Sequence, residues 1–162
     1  MASTQAMCTS FKTEILQGLH QIGTAGGTVT IATRGSLTTP ANDVLKMALY
    51  LDAATLSSAT TTYSATNEVG NSGSYTAGGS IVPITGTPAA TGTTAYVGPA
   101  SASTLSWTTF TATGFSAALV YNSTQGNRAV SVHTFASQSI TAGTFTITFP
   151  TNAAGTALLN IA

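Results

Sequence analysis

The stretch Thr144-Phe145-Thr146-Ile147-Thr148-Phe149 sets polar and apolar side chains in strict alternation, and Pro150 stops it. A period of two is the period of a β-strand, whose side chains point to opposite faces in turn. A helix with this pattern would scatter its apolar groups around its circumference, so the stretch is confined to a sheet with one buried face. Threonine suits the exposed half, being β-branched and polar at once.

The same signal recurs along the chain. Val130, Val132 and Thr134 alternate with Ser131, His133 and Phe135. Leu105, Trp107 and Thr109 are expected to face one way, and Ser106, Thr108 and Phe110 the other. Residues 117–121 form a compact apolar run ending at Asn122, Ala95-Tyr96-Val97 precedes a Gly-Pro break, and 158–161 read as a last strand. Ile81-Val82-Pro83-Ile84 reads as an edge strand, because proline removes a ladder donor. Thr28-Val29-Thr30-Ile31 reads as a half-buried strand; 44–51, low in β-branched residues, fits a helix or a strand, and its shortness and flanking turn formers favour a strand. Residues 53–80 are rich in Ala, Ser, Thr, Gly and Asn and read as loops with little core-forming material around Tyr63, Val69 and Tyr75. Strands spaced about 8–12 residues apart, with Gly, Asn and Pro between them, predict a mainly β fold: a β-sandwich or jelly-roll-like domain, with a barrel as the related possibility.

The N-terminal region departs from this period. The first ten residues read as an extended arm. Phe11, Ile15, Leu16, Leu19 and Ile22 then recur near helical spacing, with Ser10 as a cap and Gly23 as a stop. A short amphipathic helix over 11–22 is expected, with Gly18 an unfavourable residue inside it. The chain therefore divides into 1–26, arm and helix, and 27–162, the β-sandwich domain.

Charge limits the function classes. Thr, Ala, Ser and Gly fill 92 of 162 positions, and Lys, Arg, Asp and Glu together fill eight. Four cations cannot make the basic face that a nucleic-acid backbone requires. Disorder driven by high charge is excluded as well. Seven of the eight charges lie in the first 68 residues, and Arg128 alone follows. A surface with net charge near zero favours association, so a homo-oligomer or larger assembly is expected, and one tolerant of salt. No apolar run approaches the length of a membrane span, and no secretory leader is visible, so neither a membrane partner nor export is expected.

No site chemistry emerges. Gly70-Asn71-Ser72-Gly73-Ser74 resembles a nucleophile elbow but has serine where the pattern needs glycine, and it reads as a turn. His133 reads as a structural hydrogen-bonding residue, and His20 as an exposed residue on the helix flank. Two histidines, one cysteine and four carboxylates stand at no metal-ligand spacing. The glycine-rich stretches 23–27 and 78–79 lack the lysine of a phosphate loop. No cofactor, no metal and no enzymatic activity are expected. Cys8 is single and reads as a buried thiol. Asn122-Ser123-Thr124, formally a glycosylation sequon, reads as a polar turn. Tyr96, Trp107 and Tyr121 would make a sugar-stacking platform if exposed, but their alternating positions favour the core. Arg128 is expected to make a structural contact at a sheet or subunit boundary, with Glu68 or with a neighbouring subunit.

Four stretches carry a resemblance: Met7-Cys8-Thr9-Ser10-Phe11-Lys12, Leu45-Lys46-Met47-Ala48-Leu49-Tyr50, Tyr121-Asn122-Ser123-Thr124-Gln125-Gly126-Asn127-Arg128-Ala129-Val130, and Ile140-Thr141-Ala142-Gly143-Thr144-Phe145-Thr146-Ile147. They are similar to segments of a group of small structural proteins of tailed bacteriophages. The composition is similar, more loosely, to that of capsid decoration proteins. The resemblance implies a virion component that binds the major capsid protein or other virion proteins. Such proteins assemble in the host cytoplasm and leave by lysis, which requires no leader. On this reading Phe11, Ile15, Leu16 and Leu19 are the expected anchor, with Arg128 a further contact residue. Deleting 1–22 is then expected to abolish capsid retention while leaving the sandwich folded. A tail or fibre protein of the same virion is the alternative, and a carbohydrate-binding β-sandwich module is the alternative from another class.

Overall fold

A computed structural model describes residues 4–20, 22–23 and 42–161. The expected strand at 28–31 lies outside them. Among the described residues the elements run β1 (Thr4–Met7), α1 (Thr9–Leu16), β2 (Leu45–Leu51), β3 (Ser80–Ile81), β4 (Ala89–Thr91), β5 (Thr94–Val97), β6 (Ser103–Asn122), β7 (Arg128–Phe149) and β8 (Leu159–Ile161). The chain is mainly β and sandwich-like, with one sheet in the order β1-β7-β6-β2-β3 and a second in the order β4-β5-β8.

The frame is one long antiparallel hairpin. Ser103 pairs with Phe149 at its open end and Asn122 with Arg128 at its closed end. Near the closed end the sheet is covered on both faces, which is why residues 117–122 are all buried. Opposed residues in antiparallel strands share a face. Tyr121, Leu119 and Ala117 therefore lie with Lys46, Ala48 and Tyr50, while Asn122, Val120 and Ala118 lie with Leu45, Met47 and Leu49. Segment 53–79 covers the first face: Tyr63 stacks on Tyr121 at 4.6 Å between ring centroids, and the Tyr50 hydroxyl donates to the Ser64 carbonyl at 2.6 Å. That segment is irregular, as its composition predicts, but it supplies core material that composition conceals, since Val69 and Tyr75 are both buried. The second face meets α1 and the turn before β8.

Toward the open end the strict alternation expected around Trp107 breaks. Trp107 and Phe110 are both buried, three residues apart, with Thr108 and Thr109 exposed between them. Thr109 takes φ +53°, and the register with β7 shifts between Trp107 and Phe110. This is a β-bulge, which inserts residues into one strand and reverses the phase of the side chains beyond it. The turn at 72–75 clamps the bulge. Ser74 Oγ accepts from Thr108 N at 2.8 Å, Ser72 Oγ accepts from Thr111 N at 2.7 Å, and Ser74 N donates to the Thr108 carbonyl at 3.0 Å. The former elbow motif is thus a device that satisfies bulge donors left without a strand partner.

Of the expected edge strand at 81–84 only Ile81 lies in a strand: β3 is two residues long, stops before Pro83 and, among the described residues, lies at the end of its sheet. At the opposite end, the expected arm is a paired strand, with Thr4 opposite Thr134 and Met7 opposite Ser131. The helix is shorter and earlier than the expected 11–22. It begins after Cys8 with no side-chain cap, so Ser10 lies inside it, and it ends at Gln17. Gly18, not Gly23, is the stop. Gly18 takes φ +70° and donates to the Ile15 carbonyl, while Leu19 N donates to the Glu14 carbonyl. That pair of bonds is a Schellman closure, in which glycine supplies the left-handed residue at no steric cost.

Candidate functional site

The Schellman turn folds the chain back over its own helix and returns His20 to Glu14. His20 is therefore not the exposed flank residue its helical position predicts: its side chain is 1 % exposed. Its Nε2 lies 2.7 Å from Glu14 Oε2, and its Nδ1 lies 2.8 Å from Asn122 Nδ2. Glu14 Oε1 accepts from Arg128 Nη1. Burial pushes the Glu14 carboxyl up, but hydrogen bonds from His20 and Arg128, with the guanidinium charge, together hold it below its ordinary value. Arg128 thus pairs with Glu14 in α1, a partner other than the Glu68 or neighbouring subunit offered by the sequence.

Asn122 is the hub of this network. Its Oδ1 accepts from Thr124 N at 3.0 Å and Gln125 N at 3.2 Å, and its Nδ2 also donates to Asp43 Oδ2 at 2.7 Å. Gln125 Nε2 reaches the other Asp43 oxygen at 2.9 Å. The polar turn predicted at the sequon is real, but its asparagine is fully buried inside it. One network therefore joins α1, the approach to β2, and the β6–β7 turn.

Glu68 organises a second network. It accepts from Tyr63 at 2.5 Å, from Tyr75 at 2.8 Å and from Gly78 N at 2.6 Å. Tyr75 in turn accepts from Leu49 N at 3.0 Å. Burial, with Glu68 nearby, pushes the Tyr63 and Tyr75 hydroxyls well above the usual tyrosine range. Neither network presents a reactive group to solvent. Cys8 is fully buried, and burial followed by the Glu14 charge pushes its thiol up to about 11, which keeps it protonated and non-nucleophilic. His133 bonds Ser131 Oγ at 3.0 Å, the structural role expected of it. Among the described residues no cluster of three or more His, Cys, Asp or Glu is placed to hold a metal, and no helix is long and apolar enough to cross a membrane.

The expected anchor residues separate. Phe11 is fully buried, with its ring 4.7 Å from His20, and belongs to the core. Ile15 is half-buried and lines a groove of about 210 Å³ with Ile22, Pro88, Tyr96 and Ile161. Leu16 is 88 % exposed and Leu19 37 %. Trp107 and Tyr121 are buried, as their alternating positions favour, while Tyr96 is half-buried in the groove; Trp107 Nε1 donates to Ser80 Oγ at 2.9 Å, and Tyr121 donates to the Gly78 carbonyl at 2.6 Å. A stacking surface needs accessible ring faces, and these are spent inside the fold.

The roles of Asn122, Glu14 and Glu68 escape a reading of the sequence alone. Their partners lie up to 114 residues away, and no local pattern marks them. The one available signal was scarcity, because a carboxylate in a chain this poor in charge is under strong demand to be paired. No protein-family model, no curated protein and no solved structure matches the chain.

Proposed function

We propose that the chain is a structural component of a tailed bacteriophage virion, a capsid decoration (cement) protein that binds and stabilises the head shell. The observation that carries this reading is the outer side of α1. Leu16 projects almost fully into solvent from a helix whose inner side is fixed by Phe11 and Glu14, and Leu19 is exposed just beyond the helix end. An exposed large apolar side chain gains free energy when a partner covers it, and the backbone that carries it is already ordered, so only side-chain freedom is lost. The four phage-like stretches support a virion component, and the looser compositional likeness to capsid decoration proteins favours the major capsid protein as its partner. The mechanism is binding, without a chemical step.

Deletion of 1–22 is not a clean test, because it would remove β1 from its sheet and Phe11 from the core. The direct test is the double substitution Leu16→Ser, Leu19→Ser, which alters the outer side alone. Wild-type protein is expected to sediment with purified heads. The double variant, folded by circular dichroism, is expected to bind at least about tenfold more weakly, from the loss of one to two buried leucines. Undiminished retention of the variant, or no binding of the wild type, rejects the reading. Copy number then separates shell from tail: hundreds of copies per particle fit a decoration protein, and a few dozen fit a tail or fibre component.

A further inference from the structure

We propose that His20 is an acid-operated latch between α1 and the β6–β7 turn. The argument begins at Asn122, whose amide orientation is fixed from both ends. Its oxygen faces two backbone donors, Thr124 N and Gln125 N, and its nitrogen faces the Asp43 carboxylate. The remaining amide hydrogen therefore points at His20 Nδ1, 2.8 Å away. A nitrogen that accepts a hydrogen bond carries no proton, so the His20 proton sits on Nε2 and is donated to Glu14. One asparagine selects both the tautomer and the neutral form that complete the network.

A second proton on Nδ1 changes an acceptor into a donor and sets it against the amide hydrogens. The groups around the ring limit the response. Glu14 from α1 and Arg128 from β7 lie on the Nε2 side and are already paired with each other. On the Nδ1 side, among the described residues, Asp43 before β2 and Asn122 at the end of β6 are the polar neighbours, and Phe11 packs against the ring. Among these, the new proton finds an acceptor in Asp43 if the Asn122 amide moves aside, or in Asn122 Oδ1 if the amide turns over. Either motion takes Asn122 Oδ1 away from Thr124 N and Gln125 N. Protonation of a helix-side residue is thereby transmitted to the hairpin turn, and the contact fixing α1 to the sheet is loosened. Nothing in this chain of contacts depends on what α1 docks against.

The test is ¹⁵N NMR of the full chain between pH 8 and pH 5, reading the imidazole nitrogens with the backbone amides. At pH 8 His20 is expected as the Nε2–H tautomer. As the ring gains its second proton, the Thr124 and Gln125 amides are expected to shift in step with it. Hydrogen exchange at the C-terminal turn of α1 is expected to accelerate about tenfold, the effect of one lost buried hydrogen bond. His20→Gln keeps an acceptor for Asn122 and a donor for Glu14 but cannot titrate, so its turn amides should stay still over the same range. His133 is read separately through its own ring signals. An Nδ1–H tautomer at pH 8, turn amides that ignore the His20 transition, or the same amide shifts in His20→Gln would each overturn the proposal. Should His20→Gln fail to fold, the wild-type tautomer and the tracking of the two amides still decide it.

Discussion

Gly73 shows how much a single position can carry. It takes φ +56°, and a Cβ built on it would lie 2.2 Å from the Thr108 carbonyl oxygen. That contact is with backbone, so no side-chain rotation relieves it. Gly73→Ala is expected to lower stability by about 1–3 kcal/mol, measured by denaturant unfolding, because it strains the backbone and pries the 72–75 turn off the bulge. An unchanged midpoint would show that the turn does not clamp β6. At His133, burial pushes the imidazole down to about 4, from 6.5 in an open chain. Between those values the unfolded chain binds a proton that the folded chain refuses. The His133 contribution is therefore complete above pH 6.5 and declines as the pH falls toward 4, by up to about 3 kcal/mol. Unfolding titrations of wild type and His133→Gln should differ in slope across that window and run parallel above it. Glu14 behaves separately, since its carboxyl lies below 4.5 and its stabilisation is lost only in more acid solution.

At the scale of elements, one cation contributes to the attachment of α1. Removing the guanidinium in Arg128→Ala leaves the buried Glu14 carboxylate with His20 alone among its two ion-pair partners. Arg128 is 45 % exposed, so water moderates the cost to about 1–2 kcal/mol, or a fall of about 3–6 °C in Tm. No change in Tm would mean that the pair contributes nothing to holding the helix. Which elements were legible follows from where their determinants lie. Residues 145–149 alternate because their own side chains face one buried and one open side, so β7 could be read locally to its last residue. β2 and the continuous apolar run of β6 were legible for a different reason, as short apolar runs beside turn formers whose faces are both buried. The bulge at Trp107 was not, because the hydroxyls that stabilise it come from Ser72 and Ser74, more than thirty residues upstream. The helix was found but misplaced: Gly18 reads as a weak interior residue by propensity, and only its φ reveals it as the terminator. The anchor set was legible in part, since helical spacing identified the apolar residues but not which of them face the core.

Across the whole molecule, eight charges in 162 residues leave little for dissolved ions to screen. Between 0.05 and 1 M NaCl, Tm at pH 7 is expected to move by less than about 2 °C. A larger fall would indicate that the Glu14–Asp43 and Glu68 networks carry more of the fold's stability than their small number implies. The pairing of β1 with β7 also has a meaning in time. Thr4 emerges from the ribosome well before its partner Thr134, which is made 130 residues later. The first described strand must wait for β7 before the two can pair. Contacts so distant in sequence make folding slow, on a scale of milliseconds to seconds. A nascent chain stalled before β7 should remain open to protease at its N-terminus, whereas the released protein should not. The synthesis of β7 decides when β1 becomes structure.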